Sequence, residues 1–225
     1  MARELEGLAG EVEACRRCPR LVAWSAAVCR EKRKAFATEE YWGRPVPGFG
    51  DPGARLLLVG LAPAAHGAHR TGRMFTGDRS GDFLYAALHR AGYASSPLSR
   101  DRNDGLELRD AYITAAVRCA PPENRPTPAE LAACRPYLER ELELLRRLRV
   151  LVTLGGLAHA QLLAAVGARR AQYPFAHGAE YALQGWRLLA CYHPSQQNTF
   201  TGRLTPAMLD AVLARAKAVA GGERD

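Results

Sequence analysis

Four of the chain's six cysteines fall into two close sets: Cys15 and Cys18 in "CRRCP", and Cys119 and Cys134, separated by fourteen residues. Four thiolates grouped in this way are the usual requirement for a tetrahedral zinc or for an iron–sulfur cluster, and the spacing alone leaves both open. Disulfides are the poorer reading for a chain expected to work in a reducing interior. The plain alternative is a chance CxxC pair, with the other thiols filling core space. Cys29, within a helical stretch, and Cys191, within an apolar run, read as inert buried thiols.

A second chemical group gathers around His193. The stretch "YHPSQQNTFTGRLT" (192–205) delivers a histidine to the end of an apolar run and then a proline, which favours extended backbone at His193. Ser195, Gln196, Gln197, Asn198 and Arg203 follow, offering donors without acidic groups, a composition suited to phosphates and groove edges. Long loops without their own secondary structure tend to be functional. In "GLAPAAHGAHRTGRMFTGDRSG" (60–81), the small or apolar residues Gly60, Leu61 and Ala62 let a ligand approach free backbone N–H groups. Phe75, the loop's one aromatic residue, suits stacking on a base or anchoring the loop. Asp78, its only carboxylate before the next helix, reads equally well as an N-cap. His66, His69, His89, His159 and His177 read as structural.

These groups must be held by an α/β scaffold. Residues 3–37 form two helical stretches interrupted at "CRRCPRL", with Pro19 suited to opening the second. The connector "YWGRPVPGFGDPG" (41–53) is too rich in breakers for helix or strand. Apolar runs at 55–62, 110–119 and 149–156 read as buried strands, and 181–193 as a hairpin or edge strand plus a fourth core strand. Helices are expected over 80–92, 127–148, 157–167 and 205–220, with Thr127 and Glu130 forming a capping box. The alternation argues for a parallel sheet covered on both faces, in a single domain over residues 1–225. Within it, 1–54 supplies N-terminal helices and connector, and 55–225 the core. Sites in such sheets collect beyond the carboxyl ends of the strands. Four rim loops are therefore expected together: "GLAPAAHG", "RCAPPENR", "LGGLAH" and "YHPSQQN".

The formal net charge is +8, carried almost wholly by arginine, since only Lys32, Lys34 and Lys217 are lysines. Such a surplus attracts polyanions at long range. No apolar run approaches the ~18–20 residues that cross a bilayer, and the N-terminus lacks the pattern of a signal peptide. A soluble, cytoplasmic protein without membrane contact is expected.

Taken together, "GLAPAAHG", "HPS", "MFTGDRSG", "VRCAPPENRPTP", "LGGLAH" and the four-cysteine frame resemble the uracil-DNA glycosylases, and more narrowly family 5, the B-type enzymes that carry an iron–sulfur cluster. The resemblance spans the whole chain. It implies a three-layer α/β/α sandwich around a four-stranded parallel sheet, and a structural 4Fe–4S centre on Cys15, Cys18, Cys119 and Cys134. It also implies hydrolysis of the N-glycosidic bond of a deaminated base in DNA. Where many relatives carry a polar water-activating residue in the first motif, this chain has small or apolar residues up to His66. Where the other cluster-bearing family has an asparagine that reads uracil, the matching position here is Ala115. A weakly polar pocket implies looser selectivity, with hypoxanthine or xanthine accepted beside uracil.

On that reading the nucleotide is flipped into a pocket and the 194–203 loop wedges into the minor groove. Phe75 stacks on the base, backbone N–H groups of 61–65 meet its oxygens, and His193 donates to the base oxygen as charge grows. Asp78 holds the water or stabilises the sugar cation, and Asn124 bonds the base or a second water. No nucleophilic lysine is evident in the rim loops, so a monofunctional enzyme is expected; separately, a monomer associated with the nucleoid and acting on double- and single-stranded DNA is expected. A non-enzymatic zinc or iron–sulfur module that binds nucleic acid or carries electrons explains the cysteines and charge, but not His193. A nucleoside hydrolase explains neither the wedge-like loop nor the charge.

Overall fold

The computed structural model describes residues 2–222. Strands β1 (Phe49–Gly50), β2 (Leu56–Gly60), β3 (Ala111–Ala115), β4 (Val150–Leu154), β5 (Glu180–Leu183) and β6 (Trp186–Cys191) form one sheet in the order β1-β3-β2-β4-β6-β5. The inner four strands, β3, β2, β4 and β6, run parallel. This is the expected four-stranded parallel centre, extended at each edge by an antiparallel strand. At one edge β5 and β6 form a hairpin. At the other, β1 lies inside the connector, whose breakers argued against any strand. Its Gly50 passes so close to β3 that a Cβ would stand 2.4 Å from the Ala111 carbonyl oxygen. Here glycine permits the pairing rather than interrupting it.

The helices are α1 (Ala2–Ala14), α2 (Pro19–Glu31), α3 (Ala68–Thr71), α4 (Arg79–Arg90), α5 (Pro128–Leu144), α6 (Gly156–Ala165), α7 (Gln196–Phe200) and α8 (Pro206–Gly221). Strand side chains alternate between two faces. Leu56 and Leu58 of β2 and Val150 and Val152 of β4 pack with Leu84 and Leu88 of α4 and Leu209 and Leu213 of α8. Leu57, Val59 and Leu151 pack on the opposite face with Leu138 and Leu142 of α5, Leu162 and Leu163 of α6, and Leu5 of α1. With both faces covered, every residue of the four inner strands but the first two of β6 is buried, which is why each reads as a mainly apolar run, with the hydroxyls of Thr114 and Thr153 hydrogen-bonded inside.

The helix signals are used as written. Pro19 stands at the first position of α2, Thr127 and Glu130 close the capping box of α5, and the Thr205 side chain caps α8. The segment after His193 differs from expectation: it contains α7, opened by the Ser195 side chain accepting from the Asn198 N–H. A helix of five residues is too short to show a period in the sequence. No helix among the described residues is long and apolar enough to cross a membrane.

Candidate active site

The inner strands end on one rim, with Gly60 in register with Ala115 and Leu154 with Cys191. The loops leaving those ends enclose a cavity of about 450 Å³, a size suited to a flipped nucleoside. Every rim loop contributes to it: Leu61, Ala62, Phe75 and Asp78 after β2, Asn124 after β3, Leu157 after β4, and His193, Ser195 and Gln197 after β6. The cavity shares Asp78, Ser80, Asn124, Ser195 and Gln197 with an adjoining groove of about 860 Å³. The far wall of that groove is formed by Trp24, Arg33 and Phe36.

Phe75 takes a left-handed backbone conformation (φ 52°) and lays its ring against the end of β2. A Cβ on Gly60 would meet that ring at 2.9 Å, so the glycine is what lets an aromatic floor lie on the strand. The Phe75 and His193 ring centroids are 5.8 Å apart. Past Gly60, the backbone N–H groups of Leu61, Ala62, Ala64 and Ala65 donate no hydrogen bond within the described chain. Leu61, Ala62 and Ala64 line the cavity, and Ala65 the adjoining groove.

Asp78 holds two positions at once. Its Oδ1 accepts from the Gly81 N–H at 2.9 Å and caps α4. Its Oδ2 lies against Gly67, where an added Cβ would stand 2.0 Å away. Burial raises the carboxyl above its ordinary range, opposed by the backbone N–H groups of Gly81 and Ser80. A buried carboxylate of raised pKa, with one oxygen capping and the carboxyl on the cavity wall, can orient a water and take its proton.

Burial alone lowers His193 to about 4, so the ring is a neutral imidazole near neutrality. The Asn198 side-chain amide donates to the His193 carbonyl at 2.8 Å and fixes the backbone that presents the ring. Asn124 stands at φ 56° after Glu123 at φ 54°, two successive left-handed residues that are not glycine. Strain of this kind is held in place at functional loops. Asn124 lines both the cavity and the groove.

The residues assigned to DNA contact divide. Gln196 and Gln197 line the groove. Ser195 and Asn198 also spend donors or acceptors on internal bonds, and the Arg203 guanidinium stacks on Tyr192 at 4.6 Å. Among the histidines read as structural, His69 is buried against Ser25, and His159 bridges Thr153 and the Tyr173 carbonyl. His66 instead reaches the groove wall, where its Nδ1 pairs with the Tyr41 hydroxyl at 3.0 Å.

Away from this cavity, Cys15, Cys18, Cys119 and Cys134 ring one small pocket beneath α1 and α2. Its walls are Leu21, Val22, Val117 and Tyr137. Burial and the neighbouring thiols push Cys119 up to about 12. Burial pushes Cys134 up to about 11, against the pull of the Arg118 guanidinium. Four thiols gathered in one mostly apolar pocket are suited to a cationic centre that holds them as thiolates. Among the described residues, no three His, Cys, Asp or Glu side chains converge closely enough to hold a single metal ion.

Residues 47–217 match the family model described as the uracil DNA glycosylase superfamily. A type-5 uracil-DNA glycosylase of Mycobacterium leprae is 56% identical over 223 residues, covering 98% of this chain and 97% of that protein. A type-5 uracil-DNA glycosylase of Thermus thermophilus is 58% identical over 217 residues, covering 96% of this chain and 98% of that protein. The chain belongs to the type-5 uracil-DNA glycosylases. It is accordingly an N-glycosyl hydrolase. A type-4 uracil-DNA glycosylase of Archaeoglobus fulgidus stands further off, at 32% identity over 155 residues, covering 67% of this chain and 70% of that protein.

The lining of the glycosylase's cavity is more apolar than polar. Ala115 lines it at the end of β3, where its methyl group offers neither donor nor acceptor. Neither Leu157 nor Phe200 is singled out by the sequence. Both are large apolar side chains turned outward, 62% and 68% exposed. The signal for each was an apolar residue in a rim loop with no core partner expected.

Proposed function

We propose that the protein flips uracil out of DNA and hydrolyses its N-glycosidic bond, initiating base excision repair. One observation carries the proposal: a single base-sized cavity brings together the buried Asp78 carboxyl, the neutral His193 ring, the free N–H groups of Leu61, Ala62 and Ala64 and the Phe75 floor. Phe75 stacks on the base while these N–H groups and Asn124 bond its oxygens and ring nitrogen. As the bond from C1′ to the base breaks, negative charge grows on the base and positive character on the sugar. A neutral His193 donates one hydrogen bond to the base oxygen without having to lose a proton. One preorganised donor of this kind is worth about 3–4 kcal/mol in the transition state. Asp78 orients a water toward C1′ and accepts its proton as the new C–O bond forms. None of the chain's three lysines lines the cavity or the groove, which supports a monofunctional enzyme that leaves an intact abasic site.

Two finer readings follow. With Ala62 and Ala115 in place of polar side chains, readout of the base edge rests on backbone N–H groups, Asn124 and His193, and hypoxanthine and xanthine are accepted beside uracil. The thiols of Cys15, Cys18, Cys119 and Cys134 hold a 4Fe–4S cluster. What supports this reading is that the four cysteines line one pocket in a chain of this family. The cluster supplies the bonds that tie α1 and α2 to the loop after β3 and to α5, and takes no part in the hydrolysis. The protein then acts as a cytoplasmic monomer on double-stranded DNA and on single strands.

The test is incubation with duplex and single-stranded oligonucleotides carrying uracil, hypoxanthine, xanthine or no lesion, followed by alkali. Breaks at lesions only after alkali are expected. Breaks before alkali would overturn the monofunctional reading, and none on any substrate would overturn the proposal.

A further inference from the structure

Arg118 stands one residue before Cys119, on the wall of the pocket that the four thiols ring. Its backbone N–H donates to Cys134 Sγ at 3.3 Å. Its side chain is only 1% exposed. Nη2 donates to Glu141 Oε2 at 2.6 Å, and the same oxygen accepts from the Thr114 hydroxyl at 2.6 Å. Glu141 itself is held between α5 and the connector, where a Cβ on Gly48 would lie 2.5 Å from its other oxygen. The carboxylate bonds the guanidinium through Nη2 alone. Nε and Nη1 of Arg118 are buried with no acceptor among the described residues.

A guanidinium presents five N–H donors in a rigid fork, and buried donors without acceptors are costly. A buried ion pair is by itself a weak source of stability, and this one uses one edge of the arginine. The unfilled need is for an acceptor carrying negative charge, beside a pocket whose lining supplies four sulfurs. We infer that Arg118 is a positioning residue for the sulfur centre. Its free N–H groups donate to a thiolate or sulfide sulfur of the bound cluster, while Glu141 and Thr114 fix the plane of the guanidinium. The inference rests on the cluster reading of the four cysteines. Hydrogen bonds and positive charge at cluster sulfurs favour the reduced, more negative state, and they slow loss of the metal. Thr114 immediately precedes Ala115 of the catalytic cavity, so the same network ties the cluster pocket to the strand that ends at the site.

The experiment compares the intact protein with Arg118→Lys, Arg118→Met and the double variant Arg118→Met/Glu141→Gln, which leaves no unpaired buried carboxylate. Iron and acid-labile sulfide per chain, visible absorbance, one-electron midpoint potential and the rate of iron release to a chelator are measured. The Met variants should show a more negative midpoint and several-fold faster iron release, with Arg118→Lys intermediate. Lysine keeps the charge but loses the fork, so Arg118→Lys carries the test if the Met variants fail to fold. A loaded, folded variant with the midpoint and release rate of the parent would overturn the role of Arg118 alone. A parent protein that holds zinc or no metal would overturn the cluster reading, and this inference with it.

Discussion

At the scale of single residues, the catalytic proposal assigns different protonation behaviour to its two principal groups. Asp78 is raised by burial, so it takes up its proton at a higher pH than an ordinary carboxylate. His193 is lowered by burial to about 4, so it stays neutral through the mildly acid range. The acid limb of the excision rate should therefore report Asp78. Single-turnover profiles are expected to keep that limb in His193→Asn and to lose it in Asp78→Asn. The latter should also be slower by at least ~10²-fold. Asparagine can still cap α4, so its unfolding midpoint should stay close to that of the parent. A parent-like rate in Asp78→Asn would reduce the residue to a helix cap. His193 also carries a stability signature. Unfolded, it titrates near 6.5, so below that value the unfolded chain binds the extra proton and stability falls until the pH reaches about 4. Urea titrations at about pH 7 and about pH 4.5 should show a smaller acid loss in His193→Asn than in the parent.

At the scale of elements, what matters is how short segments aim side chains. Gly60→Ala would set a methyl against the Phe75 ring, closer than the two can pack. Overpacking of this sort costs about 1–3 kcal/mol. The floor should tilt into the cavity, and uracil-DNA binding should weaken by more than the unfolding midpoint shifts. Helix α7 carries Phe200 outward with the Arg79 guanidinium 5.2 Å from its ring centroid. If this turn fills the space left by a flipped nucleotide, Phe200→Ala should slow excision from paired duplex more than from single strands. Equal slowing on both would remove the wedge. Both features were half legible. The glycine and the phenylalanines could be read from the sequence as small and aromatic residues in rim loops. That Phe75 lies on Gly60, and that a one-turn helix aims Phe200, depended on backbone conformations that no period of two or 3.6 residues encodes.

At the scale of the whole molecule, the +8 charge should appear as salt dependence. Binding to lesion-free duplex should weaken steeply with salt, and Arg33→Glu, on the groove wall, should flatten the log–log slope by about one. An unchanged slope would move the DNA track away from the N-terminal helices. The sequence by itself determined the layered α/β architecture and the four rim loops. It did so because parallel strands buried on both faces read as near-continuous apolar runs and because helix caps are local. It also picked out Cys15, Cys18, Cys119, Cys134 and His193 as residues whose chemistry exceeds what a core requires. Tertiary structure alone decided the edge strand β1, which exists only because Gly50 can approach β3. It also decided the dual placement of Asp78, the reach of His66 into the groove, and the unfilled donors of Arg118. Each of these is a relation between segments brought together by the fold. Distances across such contacts are set by how layers pack, and residue type fixes only what a group can do once it is there.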